Sequence, residues 1–146
     1  MKKTLKKVLA IIFALLMLTS VASVALATTD IASGTAGEGV TWVLDSDGTL
    51  TISGTGKIKV EWYNPPWETY NDSILNVVIE EGIKDVPGSI LNHADKCVSV
   101  KIPASAEKIH PLAFDSMDSL KEIKLDESNP NYKIVDGVLF SKLWSA

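Results

Sequence analysis

Apolar residues recur along the middle of the chain at a 23-residue interval. Three short segments align when the sequence is shifted by this interval, namely 74–79, 97–102 and 120–125. Within each segment apolar residues alternate with others, and this period of two predicts a half-buried β-strand. Three such strands stacked in parallel would bring equivalent apolar residues into register. The repeat therefore predicts a solenoid in which each coil of the chain contributes one strand.

The repeat continues beyond the strands. Ile83 and Val86 follow the first strand, and their counterparts after the second predict the return side of each coil. The apolar spacing from Ala113 to Leu120 predicts a short helical turn. Cys97 occupies a strand position whose counterparts are apolar, so we expect it to point inward as a small buried hydrophobe. The repeat units are expected at 74–96, 97–119 and, in part, 120–128.

Both flanks of the repeats predict hairpins. Alternating residues on either side of 45–49 predict a β-hairpin in the N-terminal capping segment, 28–73. The aspartates of that turn also resemble part of a calcium loop, but Gly56 stands where the loop needs a bidentate Glu, so a turn is favoured. In the C-terminal segment, 129–146, an Asp-Gly pair predicts a second hairpin. We therefore expect a mostly β fold, a solenoid with a hairpin at each end.

The segment 1–27 has the features of a signal peptide. Four lysines precede a continuous apolar run, and Ala25 and Ala27 form a small-residue cleavage pattern. The uncharged stretch 8–27 is also about long enough to serve as an uncleaved anchor, although cleavage is favoured by the small residues at its end. We expect a secreted or cell-surface protein with no membrane segment after removal of the signal.

The net charge of the chain limits the kinds of molecule that it is expected to bind. The segment that follows the signal keeps all 18 acidic residues and ten of the 14 lysines, a net charge of −8, and the chain has no arginine. Phosphate binding requires clustered cations, so nucleic acid is not expected as a partner. The single cysteine forms no internal disulfide.

The phrase from Val100 to Phe114 resembles the BspA-type leucine-rich repeat, which reads roughly V-x-I-P-x-x-V-x-x-I-x-x-x-A-F. The stretch 39–56 with Pro65–Trp67 is similar to the N-terminal segment common in these proteins, and 129–140 is similar to their connector. The resemblance implies a right-handed, leucine-rich-repeat-like solenoid in a bacterial protein. It also implies an exported, non-catalytic module that binds proteins or adheres to cells. Relatives usually carry more repeats, so we also expect a short or truncated member, for which a remnant with little function is an alternative.

The outward positions of the stacked strands are the first candidate binding site, because solenoids commonly recognise partners on such a face. They bear polar, charged and small apolar side chains, and comprise Asn76, Val78, Ser99, Lys101, Glu122 and Lys124. The expected partner is an extracellular protein or glycan. The last coil is also expected to leave an apolar edge, through which the chain could form a homodimer.

An aromatic cluster beside two prolines is the second candidate, formed by Trp62, Tyr63, Trp67 and Tyr70. It fits either a cap on the first coil or a platform for stacking sugars, and the cap is favoured because terminal repeats need one. No enzyme, cofactor or metal is expected. His93, Asp95 and Cys97 lie close in sequence, but a catalytic cysteine needs an accessible, electropositive setting.

Overall fold

A computed structural model describes residues 27–59, 61, 64–115 and 117–144. This part of the chain contains eleven strands and two short 3-10 helices. The strands are β1 (Asp30–Thr35), β2 (Val40–Asp45), β3 (Thr49–Gly54), β4 (Gly56–Lys57), β5 (Asn76–Ile79), β6 (Ile83–Val86), β7 (Ser99–Ile102), β8 (Lys108–Ile109), β9 (Glu122–Leu125), β10 (Tyr132–Val135) and β11 (Val138–Ser141). The 3-10 helices are Glu68–Ser73 and Lys142–Trp144.

The largest sheet has six strands in the order β1-β2-β3-β5-β7-β9. Its first three strands are antiparallel, and β3, β5, β7 and β9 then run parallel. Ser99 is in register with Asn76 on one side and with Glu122 on the other, so neighbouring strands are offset by one full repeat unit. This register confirms the predicted solenoid.

A second sheet, in the order β4-β6-β8, forms the return side of the coils. The core lies between the two sheets and consists of rows of equivalent side chains. One row crosses five strands and contains Leu44, Leu50, Val77, Val100 and Ile123. All but Ile123 are fully buried, and each such side chain stabilises the fold by roughly 1.5–3 kcal/mol. Cys97 is also fully buried, as the repeat predicted.

The predicted helical turn after Pro111 is wrong. Residues 111–115 form hydrogen-bonded turns, and no helix is described between 113 and 120. The carbonyl oxygen of Leu112 accepts a hydrogen bond from the amide of Ser89 in the preceding coil, at 3.0 Å. This hydrogen bond fixes the direction of the Leu112 carbonyl toward the neighbouring coil, so the stacking of coils overrides the local apolar spacing.

The N-terminal hairpin, β2 with β3, forms as predicted, and its strands extend the solenoid sheet because β3 pairs in parallel with β5. β1 was not predicted and continues the sheet beyond β2. In the turn, one carboxylate oxygen of Asp45 accepts hydrogen bonds from the amides of Asp47 and Thr49. The aspartate therefore stabilises the turn itself.

The predicted C-terminal hairpin is also present, formed by β10 and β11 as a separate two-stranded sheet. Asp136 and Gly137 at its turn both have positive φ, 50° and 79°, as a tight two-residue hairpin turn requires. Its inner side chains, Ile134 and Leu139, are half-buried at the end of the last coil. Its outer face is apolar and exposed, with Val135, Val138 and Phe140.

Candidate binding surface

The outward side of the six-stranded sheet carries two rows of side chains set by the strand register. The first row crosses all six strands and comprises Ser33, Val43, Thr51, Val78, Lys101 and Lys124. The second crosses the four parallel strands and comprises Thr49, Asn76, Ser99 and Glu122. The structure thus brings the six residues of the candidate partner-binding face together on one surface, and it adds hydroxyl residues from β1 and β3 that sequence reasoning missed.

Charge is concentrated at the C-terminal end of this surface. Lys101 and Lys124 are exposed neighbours in the first row. The Lys124 ammonium lies 3.2 Å from a carboxylate oxygen of Glu122, and more than half of each side chain remains accessible to solvent. Ser99 donates a hydrogen bond to the side-chain oxygen of Asn76 at 2.7 Å. The surface therefore passes from neutral hydroxyl groups to paired charges.

A shallow groove of about 360 Å³ lies where the parallel strands end. Lys101 lines it together with three acidic residues, Glu80, Glu81 and Asp126. Hydrogen bonds from the side chain and amide of Ser128 hold the pKa of the Asp126 carboxyl below its usual value, with a smaller contribution from the Lys101 charge. Glu81 accepts hydrogen bonds from the amides of Ala104 and Ser105. The groove therefore places one cation among carboxylates.

The aromatic candidates differ in their exposure to solvent. Trp67 is fully buried, and its indole nitrogen donates a hydrogen bond to the carbonyl oxygen of Ile90 at 3.0 Å. Its ring packs edge-on against Trp42 with a centroid distance of 5.9 Å. Tyr70 also contacts Trp42 and is 37% exposed. A buried ring offers no face to a sugar, so Trp67 acts as a core residue of the first coil.

The remaining aromatic candidates, Trp62 and Tyr63, lie outside the described residues. Trp42, which sequence reasoning assigned only to a strand, is the residue that joins the other two rings. Trp42 is buried on β2, on the same side as Leu44. Trp67 belongs to a different predicted element farther along the chain, and nothing in the sequence indicated their contact.

The residues considered for thiol chemistry are in different environments. Cys97 is buried, and desolvation raises the pKa of its thiol, which disfavours the reactive thiolate. His93 and Asp95 are exposed. Within the described ranges, no group of three His, Cys, Asp or Glu residues is arranged to hold a metal ion.

The segment 1–27, which the sequence predicts to be a signal peptide, lies outside the described residues except for Ala27. Ala25 is therefore not described, and Ala27 is exposed. In the part of the chain that the structure describes, none of the helices has the length and apolar character needed to cross a membrane.

The strand register defines this chain as a short β-solenoid built from 23-residue coils. No protein-family model matches the sequence, and a search among curated proteins found no similar sequence. Among solved structures, the chain is similar to a leucine-rich repeat protein from Eubacterium ventriosum, with a TM-score of 0.44 and 20% sequence identity. The match covers 76% of this chain and 49% of that protein, so this chain spans about half of its length.

Proposed function

We propose that this protein is an exported, non-catalytic binding module that recognises other proteins through the outward face of its six-stranded sheet. The observation that carries the proposal is the row of side chains across all six strands, from Ser33 to Lys124. A row held by backbone pairing presents its side chains at fixed spacing, which lowers the entropy lost when a partner binds.

The chemistry of the face supports a polar protein partner. Thr51 and Ser33 offer hydroxyl groups that both donate and accept hydrogen bonds. Lys101 and Lys124 place two exposed cations on a chain whose segment after residue 27 carries a net charge of −8. These cations favour contact with carboxylates of a partner and orient its approach, since charges at an interface contribute to specificity and association rate.

The resemblance to BspA-type repeats supports export and adhesion. The lysines and apolar run of the segment 1–27, with Ala25 and Ala27, support cleavage of a signal peptide. We therefore place the mature protein outside the cell or at its surface, where its partners would be proteins of a host matrix or of other cells.

The test is a binding assay on immobilised fibronectin, laminin and collagen, three matrix proteins used as probes. Combined Lys101→Glu and Lys124→Glu substitution should weaken binding about tenfold or more, as expected for the loss of roughly 1.4 kcal/mol of binding free energy. The circular dichroism spectrum should not change, because both side chains are exposed.

The matched control is combined Lys59→Glu and Lys108→Glu substitution, which makes the same charge change at exposed positions outside the rows. Equal weakening by both pairs would mean that net charge alone drives binding. Undiminished binding of the Lys101/Lys124 variant would place the site elsewhere, and failure of the unmodified chain to bind any of the probes would contradict adhesion to this class of partner.

A further inference from the structure

A cavity of about 540 Å³ lies between the connection from β1 to β2 and the first turn of the 3-10 helix Glu68–Ser73. The connection contributes residues 35–37 to its lining, and the helix contributes residues 68 and 69. The chain between these two elements adds Lys59, Glu61, Asn64 and two prolines. The volume falls in the range of small-ligand binding sites, about 300–1,000 Å³.

Backbone hydrogen bonds hold the walls of this cavity in place. The amide of Ala36 donates to the carbonyl oxygen of Val40 at 2.9 Å, and the carbonyl oxygen of Ala36 accepts the amide hydrogen of Lys59 at 2.8 Å. In the other wall, the amide of Glu68 donates to the carbonyl oxygen of Pro65, at 2.9 Å. Because these walls are formed before a ligand arrives, little conformational order has to be gained on binding.

The polar side chains of the lining have no hydrogen-bond or ion-pair partner among the described residues. They comprise Thr35, Lys59, Glu61, Asn64, Glu68 and Thr69. Four other lysines, in contrast, each lie within ion-pair distance of a carboxylate. In ligand sites, a small number of polar groups that converge on one cavity fix the orientation of the ligand. The unpaired donors and acceptors of this lining therefore indicate a binding site.

The chemistry of the lining favours a neutral ligand that is rich in hydroxyl groups. Glu61 and Glu68 accept hydrogen bonds and Lys59 donates them, whereas Asn64 and the threonines do both. A hydroxyl group also donates and accepts, so it can pair with any of these side chains. A ligand with a net charge would instead meet a like charge, because the lining carries both signs. The exposed ring of Pro66 offers an apolar surface to the C–H groups of a sugar ring.

A peptide is a less suitable occupant of this cavity. Extended peptides bind by pairing with free backbone groups at a sheet edge, and their side chains enter apolar pockets. The amide and the carbonyl oxygen of Ala36 are both engaged within the fold. The apolar side chains of the described lining are Ala36 and two prolines, and both Ala36 and Pro65 are buried. The cavity therefore lacks both features by which a peptide is usually held.

We propose that this cavity binds neutral oligosaccharides. The carboxylates of Glu61 and Glu68 accept hydrogen bonds from sugar hydroxyl groups, and the ammonium group of Lys59 donates to a hydroxyl oxygen. Trp67, whose ring is buried, contributes by anchoring the helix beside the cavity through its hydrogen bond to Ile90 rather than by stacking on a sugar. None of the six residues of the candidate partner-binding face lines the cavity, so this inference does not depend on the proposed recognition of proteins.

The test is isothermal titration calorimetry with maltotetraose, cellotetraose and chitotetraose, three neutral oligosaccharides used as probes. The chain is expressed from Met1 and purified as the cell yields it, and at least one probe should bind to it. Glu68→Ala should weaken that binding about tenfold or more, because a sugar hydroxyl loses a charged acceptor. Glu68→Gln should retain most of the binding, because its amide oxygen still accepts a hydrogen bond. Both variants should keep the circular dichroism spectrum, since Glu68 is exposed.

The matched control is Glu38→Ala, which removes an exposed carboxylate from the same β1–β2 connection at a position that does not line the cavity. Its binding of the oligosaccharide should equal that of the unmodified chain. In NMR titrations, the largest shifts of backbone amides should fall on residues 35–37 and 68–69. The combined Lys101→Glu and Lys124→Glu variant should bind the oligosaccharide normally, so failure of this proposal and failure of the proposed function are separate results.

Four results would overturn the proposal. They are binding of none of the three probes, undiminished binding by Glu68→Ala, equal weakening by Glu38→Ala, and amide shifts centred on β5, β7 and β9. A loss of binding in Glu68→Gln as large as that in Glu68→Ala would mean that the cavity recognises a positive charge, and it would also contradict a neutral ligand.

Discussion

Asn129 closes the last coil with polar contacts where the preceding coils have apolar ones. The equivalent positions in the two preceding coils are Ala106 and Ile83, and both are buried in the core. The Asn129 amide group donates hydrogen bonds to the carbonyl oxygens of Pro103 and Ala106, at 3.0 and 3.1 Å. Its side-chain oxygen accepts the amide hydrogens of Asn131 and Tyr132. The side chain of Asn129 thus supplies hydrogen-bond partners to backbone groups of its own coil and of the preceding one.

Replacement of Asn129 by Ala should lower the free energy of unfolding by about 2–4 kcal/mol, because the buried backbone groups lose their partners. Urea denaturation followed by circular dichroism measures the change. Asn64→Ala, at an exposed position, serves as the control and should have little effect. Equal stability of the two variants would show that water replaces the lost hydrogen bonds.

The thiol of Cys97 makes the free energy of unfolding depend on pH in the alkaline range. Its folded-state pKa is raised by burial, so the unfolded chain loses the thiol proton first as pH rises. The stability that the buried thiol contributes is complete below the ordinary thiol pKa, about 8.5, and is progressively lost above it. Between pH 8 and 10 the unmodified chain should therefore lose more stability than Cys97→Ala, as measured by urea denaturation at each pH. Parallel losses in both proteins would contradict this linkage.

At the scale of elements, the strands of the repeat were predictable because their apolar alternation and their 23-residue interval agree. The first coil was not predictable in the same way. Leu50 on β3 pairs with Val77 on β5, a step along the chain that is longer than the repeat, whereas Trp67 bonds to Ile90 at the repeat interval itself. The first coil therefore contains additional residues between Leu50 and Trp67, and they break the interval by which Trp67 could have been aligned with Ile90.

β1 escaped prediction for a different reason. Its sequence is rich in small residues, and Gly34 lies beneath the ring of Trp42, where a Cβ atom would come within 2.8 Å of the indole nitrogen. The apolar side chain that packs over this strand, Trp42, belongs to β2. The sequence of β1 itself therefore shows only weak alternation of apolar and polar residues. The outward residues of the candidate binding surface, in contrast, followed directly from the period of two on β5, β7 and β9.

The C-terminal hairpin should be the least stable element of the described chain. It is a two-stranded sheet of its own, and such a hairpin has little stability without packing. Leu143, which follows it, is 86% exposed. In native-state hydrogen exchange, the amides of β10 and β11 should exchange well before those of β5 and β7. Equal protection of both regions would show that the hairpin unfolds only with the core.

For the whole molecule, a single row of buried side chains extends from the N-terminal hairpin to the last coil. Leu44 and Ile123 stand at its two ends, connected by backbone pairing at each step. Separation of any two paired strands would expose the buried side chains of this row to solvent. The N-terminal hairpin and the repeats therefore belong to one core, although the sequence divides them into separate segments.

A thermal melt should accordingly show one cooperative transition for this core. Circular dichroism reports the strands, and fluorescence reports the buried Trp42 and Trp67, so the two signals should change at the same temperature. A gradual loss of signal, or separate midpoints for the two probes, would indicate that the coils unfold independently and would favour a remnant that lacks a complete fold.

The constant register between coils also determines how such a molecule can change in length. Each coil meets the next through the same pairs, as Asn76 with Ser99 and Ser99 with Glu122. Duplication of a 23-residue segment such as 97–119 would restore every one of these pairs and lengthen the molecule by one strand spacing, about 4.8 Å. Gain or loss of a single residue within a strand would instead turn its core side chains toward solvent. Gene duplications that copy whole repeat units are thus the changes in length that this architecture tolerates best, each adding one more step to its outward rows.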